Sequence, residues 1–362
     1  MRIAFIGQKG MPAINGGVER YVESISTDLA SRGEDVLVYN RNDYLPEKLL
    51  EFRGVRIINK TYYRSKNLAN ITHTFLASLD VLFRRVDVIH FQGIGPSLLC
   101  WLPKILSGHR IKIVATLHSF DYYNDKWGAF ARWMLKFGER LMVSCADELI
   151  VLTKAMQAHL KKEYGRESNL ITNGANLYNE DGQDRLLPWG LERNNYLISV
   201  ARIIRLKGLQ YLITAFKNLK TDQRLVIVGE GDYLPELQKI AADDHRIIFT
   251  GNQTGRTLDQ LYANAYLFVQ ASETEGLSIS LLEAMAHQTA CLVSDIEANT
   301  EALEKTGFTF KNKDIKDLEI KLAELLDNPS LVEKQAEAAY QRAAKNFNWS
   351  EISRQILAVY KK

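Results

Sequence analysis

The sequence predicts an α/β protein made of two doubly wound, Rossmann-like domains. Three observations predict it: a length of 362 residues, an alternation of short apolar runs with longer amphipathic stretches, and a polar interruption between two such series. The length favours two domains over one. Alternation of strand-like and helix-like periods is the pattern of βαβ units, whose strands lie parallel. In the first series the strand-like runs are IAFIG (3–7), DVLVYN (35–40), VIHF (88–91), KIVATLH (112–118) and ELIVLT (148–153). Between them, residues 17–32, 67–85, 96–107 and 127–146 repeat their apolar residues at three and four, the helical spacing. Residues 178–195 are rich in charge, Gly and Asn and follow neither period, so the interdomain linker is expected there. The second series holds YLISVAR (196–202), RLVIVG (224–229), RIIFTG (246–251), AYLFVQAS (265–272) and ACLVSD (290–295). The two domains are therefore expected at 1–177 and 196–346. A last amphipathic helix, 347–362 with Ser350 as its N-cap, is expected to cross back to the first domain.

Composition excludes several classes. With 46% hydrophobic and 25% charged residues, the chain is an ordinary globular one. The formal charge is +3, but residues 1–177 carry 24 Lys+Arg against 17 Asp+Glu, and the remainder 22 against 26. Such asymmetry fits a domain that meets an anionic surface, and equally a set of solvated helix faces. Nucleic acid is not expected as a partner. Cys100, Cys145 and Cys291 are far apart in sequence, without CxxC spacing and in apolar surroundings. That predicts the reduced, buried thiols of an intracellular protein, not a disulfide framework or a zinc site. The opening Arg2-Ile3-Ala4-Phe5-Ile6-Gly7 reads as a buried strand and not as a signal peptide. No apolar run approaches the ~20 residues that a spanning helix requires. The expected location is cytoplasmic, with any membrane contact peripheral and at the inner face of the plasma membrane.

In open α/β sheets ligands bind beyond the carboxyl ends of the strands, so the residues just after each strand carry the information. The run ending Ser199-Val200-Ala201 delivers Arg202, and Lys207-Gly208 follow where a helix is expected to begin. A guanidinium grips phosphate oxygens with two donors while an ammonium adds a point charge, and a diphosphate leaving group needs both. Downstream, AYLFVQAS ends at Glu273-Thr274-Glu275-Gly276, and Leu277, Leu281, Leu282 and Met285 take up helical spacing. The first amides of that helix lack intrahelical acceptors and carry the positive end of its dipole, an anion site that Gly276 leaves open to a phosphate. Glu275 precedes this entrance, and Glu283 lies on the order of 8 Å into the helix at ~1.5 Å per residue. Two carboxylates so placed straddle a diphosphate and can accept hydrogen bonds from hydroxyls of the transferred sugar and of the ribose. By themselves they would be a dipole-complementing acid and an unrelated surface glutamate. Arg202 and Lys207 turn them into a site. No Asp-x-Asp occurs, so no metal or separate cofactor is expected, the two cations and the helix dipole doing the neutralising.

On these residues the sequence resembles glycosyltransferase family 4, retaining enzymes of the GT-B fold, over essentially its whole length. The most specific element is Glu275-GLSISLL-Glu283 followed by AMA, with the Arg202 and Lys207 pair next. The resemblance implies an N-terminal acceptor-binding domain and a C-terminal nucleotide-sugar-binding domain facing each other across a cleft that closes before transfer. It places Glu283 on the ribose, Glu275 on a sugar hydroxyl, the backbone of Gly276, Leu277, Ser278 and Ile279 on the sugar and phosphates, and Arg202 and Lys207 on the diphosphate. Gly229 and Gly251-Asn252 would flank the base. In the N-terminal half the matching elements are the loop PAINGGVERYV (12–22), whose Gly16 and Gly17 would let amides approach the donor phosphate, and His118, expected near the donor sugar.

The stretch 118–140 is similar to bacterial enzymes of surface-polysaccharide synthesis, including rhamnosyltransferases. Three departures leave the sugar unnamed: Asn173-Gly174-Ala175-Asn176 replaces Asn-Gly-Val-Asp, DIEANTEAL (295–303) replaces a Gly-Gly-x-x-Glu loop, and SFDYY follows the histidine in place of Gly. The implied reaction is retaining and metal-independent. It moves a sugar from a UDP-, GDP- or dTDP-linked donor to a glycan or lipid-linked saccharide acceptor. Arg132, Lys136 and Arg140 recur every four residues on a predicted helix, a stripe that suits a lipid-linked sugar diphosphate at an anionic membrane and equally a solvated face. Two rivals stand beside this reading. A GT-B-shaped sugar-nucleotide 2-epimerase shares the donor chemistry but does not need the Glu-x7-Glu helix, and a non-catalytic sugar-nucleotide-binding relative does not need all four charged residues. A nicotinamide dehydrogenase is disfavoured, because Gly7-Gln8-Lys9-Gly10 is not GxGxxG.

Overall fold

The computed structural model of the chain describes every residue except 15, 66–67, 121, 123–127, 179–181 and 243. Parts of the predicted glycine loop, of the helices at 67–85 and 127–146, of the stretch 118–140 and of the segment 178–195 thus lie outside the described residues. The chain forms two compact units, Met1–Asn173 with Trp349–Lys362, and Gly174–Asn348.

The first unit runs β1 (Arg2–Ile6), α1 (Gly17–Ser31), β2 (Asp35–Arg41), β3 (Glu51–Phe52), β4 (Val55–Lys60), α2 (Ala69–Asp80), β5 (Val88–Gln92), α3 (Ile94–Ser97), α4 (Trp101–Leu106), β6 (Lys112–Leu117), α5 (Ala129–Cys145), β7 (Glu148–Val151), α6 (Lys154–Tyr164) and β8 (Asn169–Leu170). The strand order is β3-β4-β2-β1-β5-β6-β7-β8, parallel except for the short β3–β4 pair. Strands β1 and β5 are almost wholly buried; β1 accordingly reads as an unbroken apolar run after Arg2, while β5 carries the buried His90 and Gln92. The last helix of the chain, α14 (Trp349–Lys361), belongs to this unit. Lys112 Nζ donates to the carbonyls of Val359 and Tyr360 at 3.0 and 3.3 Å, meeting the open acceptors at the helix end. Ser350 lies inside the first turn and is not the N-cap; its Oγ accepts from Arg32 at 2.7 Å.

The second unit continues with β9 (Tyr196–Val200), α7 (Leu209–Lys217), β10 (Arg224–Val228), α8 (Leu234–Ala241), β11 (Ile247–Gly251), α9 (Gly255–Ala263), β12 (Leu267–Gln270), α10 (Ile279–Ala286), β13 (Cys291–Ser294), α11 (Glu297–Leu303), β14 (Phe308–Phe310), α12 (Ile315–Leu326) and α13 (Pro329–Asn346). Its sheet, all parallel, has the order β11-β10-β9-β12-β13-β14. The order reverses between β9 and β12, so the crevice beyond their carboxyl ends is the switch point where such sheets hold ligands. Leu197, Ile227, Leu267 and Leu292 of the sheet pack with Leu212 and Phe216 of α7 in one buried cluster. Each such side chain contributes about 1.5–3 kcal/mol by leaving water.

Two expectations need correcting. The polar stretch 178–195 belongs, where described, to the second unit: Leu186 and Leu191 are buried, and Gln260 Oε1 accepts the Arg185 amide at 2.9 Å. The cysteines are not all isolated and buried. Cys145 is half-buried beside Cys100; their thiol–thiol contact, with burial, pushes the Cys100 pKa up, and the same contact together with Lys104 draws Cys145 down to about 7 against its burial.

Candidate functional site

Two groups of predicted residues assemble, one in each unit. In the second unit, β9 and β12 pair side by side, with Leu267 opposite Leu197 and Phe268 opposite Ile198. Their carboxyl ends therefore deliver Arg202 and Lys207 from one strand and Glu275 from the next. Lys207 Nζ lies 2.5 Å from Glu275 Oε1, and the two side chains are only 22% and 11% exposed. Ser272 Oγ donates to the same carboxylate oxygen at 2.7 Å. The pair leaves the ammonium two further donors and the carboxylate a second oxygen. Arg202 is exposed just beyond β9.

Backbone geometry fixes both strand-end turns. Gly208, at φ 67°, follows Lys207, and a Cβ there would stand 1.8 Å from the Ala271 carbonyl oxygen. Only glycine lets the Lys207 turn close on the end of β12. A Cβ at Gly229 would lie 2.0 Å from Ala201 O, so this glycine presses the turn after β10 against the residue before Arg202. The Gly229 amide also donates to Gly251 O at 2.8 Å, which joins two of the predicted base-flanking positions. Asn252 is half-buried beside them.

Helix α10 begins at Ile279, two residues after Leu277, where the apolar spacing starts. Ser278 is its N-cap, Oγ accepting from the Leu281 amide at 3.4 Å. Gly276, Leu277, Ser278 and Ile279 are buried at this entrance. Glu283 lies in the second turn, where the Tyr262 hydroxyl donates to its Oε2 at 3.3 Å. His287, one turn on, contacts the Tyr262 ring and packs its own ring on Tyr178 at 4.8 Å between centroids. A buried polar chain holds the entrance. Ser278 Oγ donates to Gln270 Oε1 at 2.6 Å, and Gln270 Nε2 to Asn299 Oδ1 at 2.8 Å. Asn299 Nδ2 donates to Ser294 Oγ at 3.1 Å, and Ser294 Oγ to Ser272 O at 2.6 Å. The departure at DIEANTEAL thus puts a structural asparagine behind Glu275.

In the first unit, Gly16 and Gly17 form the exposed N-terminus of α1. The Glu19 carboxylate folds back on it, 6% exposed, and accepts the Lys9 amide at 3.0 Å. It complements the helix dipole at the same end where a phosphate was expected. Tyr21, one turn along α1, meets His118 edge-on at 4.9 Å between centroids, so the glycine loop and the histidine share one end of the sheet. His118 Nε2 lies 2.8 Å from Gln92 Oε1, while Gln92 Nε2 donates to His90 O. That fixes the tautomer: Nε2 carries the proton and Nδ1 remains an acceptor. Burial pushes the His118 pKa down to about 3. At neutral pH His118 is therefore a neutral hydrogen-bonding group and not an acid. Beneath it His90 sits between Tyr360 OH at 2.7 Å and Thr116 Oγ1 at 2.6 Å, its pKa likewise pushed to about 3 by burial and by His118.

Sequence reasoning missed Gln92, Tyr21, Tyr262, Ser272 and Asn299. Gln92 ends a strand and Ser272 follows β12, so both could have been found by the rule that found Arg202. The others lie inside helices, with nothing in type or spacing to mark them.

Comparison with known proteins gives the same outline. Residues 15–178 match the family model described as Glycosyltransferase Family 4, and residues 188–342 that described as Glycosyl transferases group 1. The glycogen synthase of Mycobacterium tuberculosis H37Rv is 25% identical over 406 residues, which cover 99% of this chain and 94% of the relative. Sucrose-phosphate synthase from Thermosynechococcus elongatus superposes with a TM-score of 0.85 at 21% identity, over 99% of this chain and 98% of its own. HepE of Anabaena, solved in complex with UDP and glucose, gives 0.83 at 20% identity, over 100% and 99%.

Proposed function

We propose that this chain, which belongs to the family 4 glycosyltransferases of the GT-B type, moves a sugar from a nucleotide diphospho-sugar with retention and without a metal. The observation that carries the reading is the Lys207–Glu275 pair at the entrance of α10. It sets a cation for the diphosphate and a carboxylate for a sugar hydroxyl on one rigid strand end, beside Arg202 and the open amides of the helix. Glu283, which accepts from the Tyr262 hydroxyl at the second turn of α10, is the group for the ribose. The UDP and glucose in HepE support the donor class.

In the proposed step the bond from the anomeric carbon to the donor phosphate breaks, and a bond to the acceptor oxygen forms on the same face. The departing phosphate oxygen takes the acceptor's proton, while Arg202, Lys207 and the α10 amides carry its charge. Neutral His118, through Nδ1, accepts from a donor-sugar hydroxyl. The acceptor is a lipid-linked saccharide of cell-surface polysaccharide synthesis, met at an anionic membrane surface that Arg132, Lys136 and Arg140 of α5 suit. Among the described residues no helix is long and apolar enough to cross a membrane.

Thermal stabilisation by a panel of UDP-, GDP- and dTDP-sugars identifies the donor, since a ligand bound to the native state raises its stability with occupancy. Transfer from that donor is expected to fall by about 10²-fold or more in Glu275→Gln and Lys207→Ala, the scale of losing one preorganised charge contact. It should persist in EDTA and give the retained anomer by NMR. Full activity in Glu275→Gln removes the assignment of the site, and an inverted linkage removes the mechanism.

A further inference from the structure

The first unit has a cleft that the donor site does not use, of about 510 Å³ beside α5 and α6. Tyr122, Trp133 and Phe137 wall it, Lys136 and Arg140 supply positive charge, and Glu139, His159, Glu163 and Tyr164 line the rest. Glu139 is 1% exposed, and its Oε1 accepts from His159 Nε2 at 2.7 Å. A carboxylate so far withdrawn from water costs stability unless partners compensate, and the neighbouring buried positions of α5, Met142 and Val143, are apolar. The rings are equally out of place. Phe130, Trp133 and Phe137 are 74%, 60% and 42% exposed. They stack in a row along α5, with centroids 6.0 Å apart in the first pair and 5.9 Å in the second, whose planes differ by 4°. An ordered apolar row in solvent marks a contact surface. The row runs out of the cleft, and Lys136 Nζ stands 5.7 Å from the Tyr122 ring inside it.

We propose that this cleft binds the head of an amphiphilic acceptor, a saccharide joined through phosphate or diphosphate to a hydrocarbon chain. The proposal rests on the reading that the chain serves a lipid-linked acceptor. The chemistry divides along α5. Lys136 and Arg140 take the anion, and the faces of Trp133 and Phe137 carry the sugar ring. The hydrocarbon follows the ring row towards Phe130.

Calorimetric titration of the full chain with geranyl diphosphate, inorganic diphosphate and geraniol tests this. Geranyl diphosphate is expected to bind roughly ten-fold or more tightly than either fragment. Trp133→Ala and the Lys136→Ala/Arg140→Ala pair, all at exposed positions, should each weaken it by a similar factor. Binding should survive in Arg202→Ala/Lys207→Ala, which separates the cleft from the donor site. Equal binding of inorganic diphosphate, indifference to the α5 variants, or loss of binding in Arg202→Ala/Lys207→Ala overturns the proposal. Full transfer by Glu275→Gln would instead sink the donor-site reading and leave this titration unchanged.

Discussion

In the second unit the groups at the strand ends are charged and paired, whereas the two histidines of the first unit's site are neutral. Lys207 and Glu275 hold each other at 2.5 Å, and a run of serine, asparagine and glutamine side chains backs them. His118 and His90 are instead kept unprotonated by burial, one fixed by Gln92 and the other by Tyr360 and Thr116. The surfaces differ in the same sense. Phe83, Trp101, Ile105, Phe130 and Trp133, exposed large apolar side chains, all belong to the first unit. On the proposed reading, formal charge suits the site that neutralises a diphosphate, and desolvation suits the one that keeps a histidine in a single protonation state.

Acid should break the first unit before the second. His73, with a pKa pushed by burial to about 4, joins His90 and His118 at about 3, against an ordinary value of 6.5, and all three lie in the first unit. Below pH 6.5 the unfolded state takes up protons that the folded state refuses. The stability these groups give is thus complete above that pH and is lost as pH falls towards 3–4. The slope is about 1.4 kcal/mol per pH unit for each histidine. Hydrogen exchange followed from pH 7 to pH 5 should show β5, β6 and α14 opening first. Earlier opening of β9 and β12 would contradict the contrast.

Gly208→Ala strikes the second unit alone. The new Cβ would meet a backbone oxygen at 1.8 Å, at a φ that alanine avoids. A loss of about 3 kcal/mol or more is expected, together with weaker donor binding. Denaturant unfolding and donor titration read both, with exchange in β5 and β6 unchanged. Asn299→Ala should be smaller, about 1–3 kcal/mol for the partners it leaves buried and unmade. Its second effect, a looser Glu275, should appear as a fall in kcat at unchanged stability of the first unit.

Arg202, Lys207 and Glu275 stood out in the sequence because they put cations and a carboxylate where a turn would take almost any polar residue. The alternation of β1, β5, β9 and β12 with helices was legible because strands buried on both faces carry short, mainly apolar runs. Short strands were not. β8 has two residues, β14 three, and β4 alternates buried and exposed positions before turning half-buried, so none shows a continuous run. The polar stretch 178–195 misled because Leu186 and Leu191 are spaced too widely among charged neighbours to display a period. Tyr262 and Asn299 went unseen for a different reason: their roles depend on which helix lies beside which strand, and that is decided by tertiary packing.

Helix α14 has a consequence for how the protein is made. Tyr360 reaches His90 across 270 residues of sequence, and Trp349 lies edge-on to Tyr21 at 6.0 Å. At the 5–20 residues per second of translation, β5 waits on the order of tens of seconds for that helix. The second unit, an unbroken stretch of chain, is finished before the first, although its synthesis starts later. Until then the underside of His118 has no Tyr360 against His90, and the first unit, begun before the second, is completed after it.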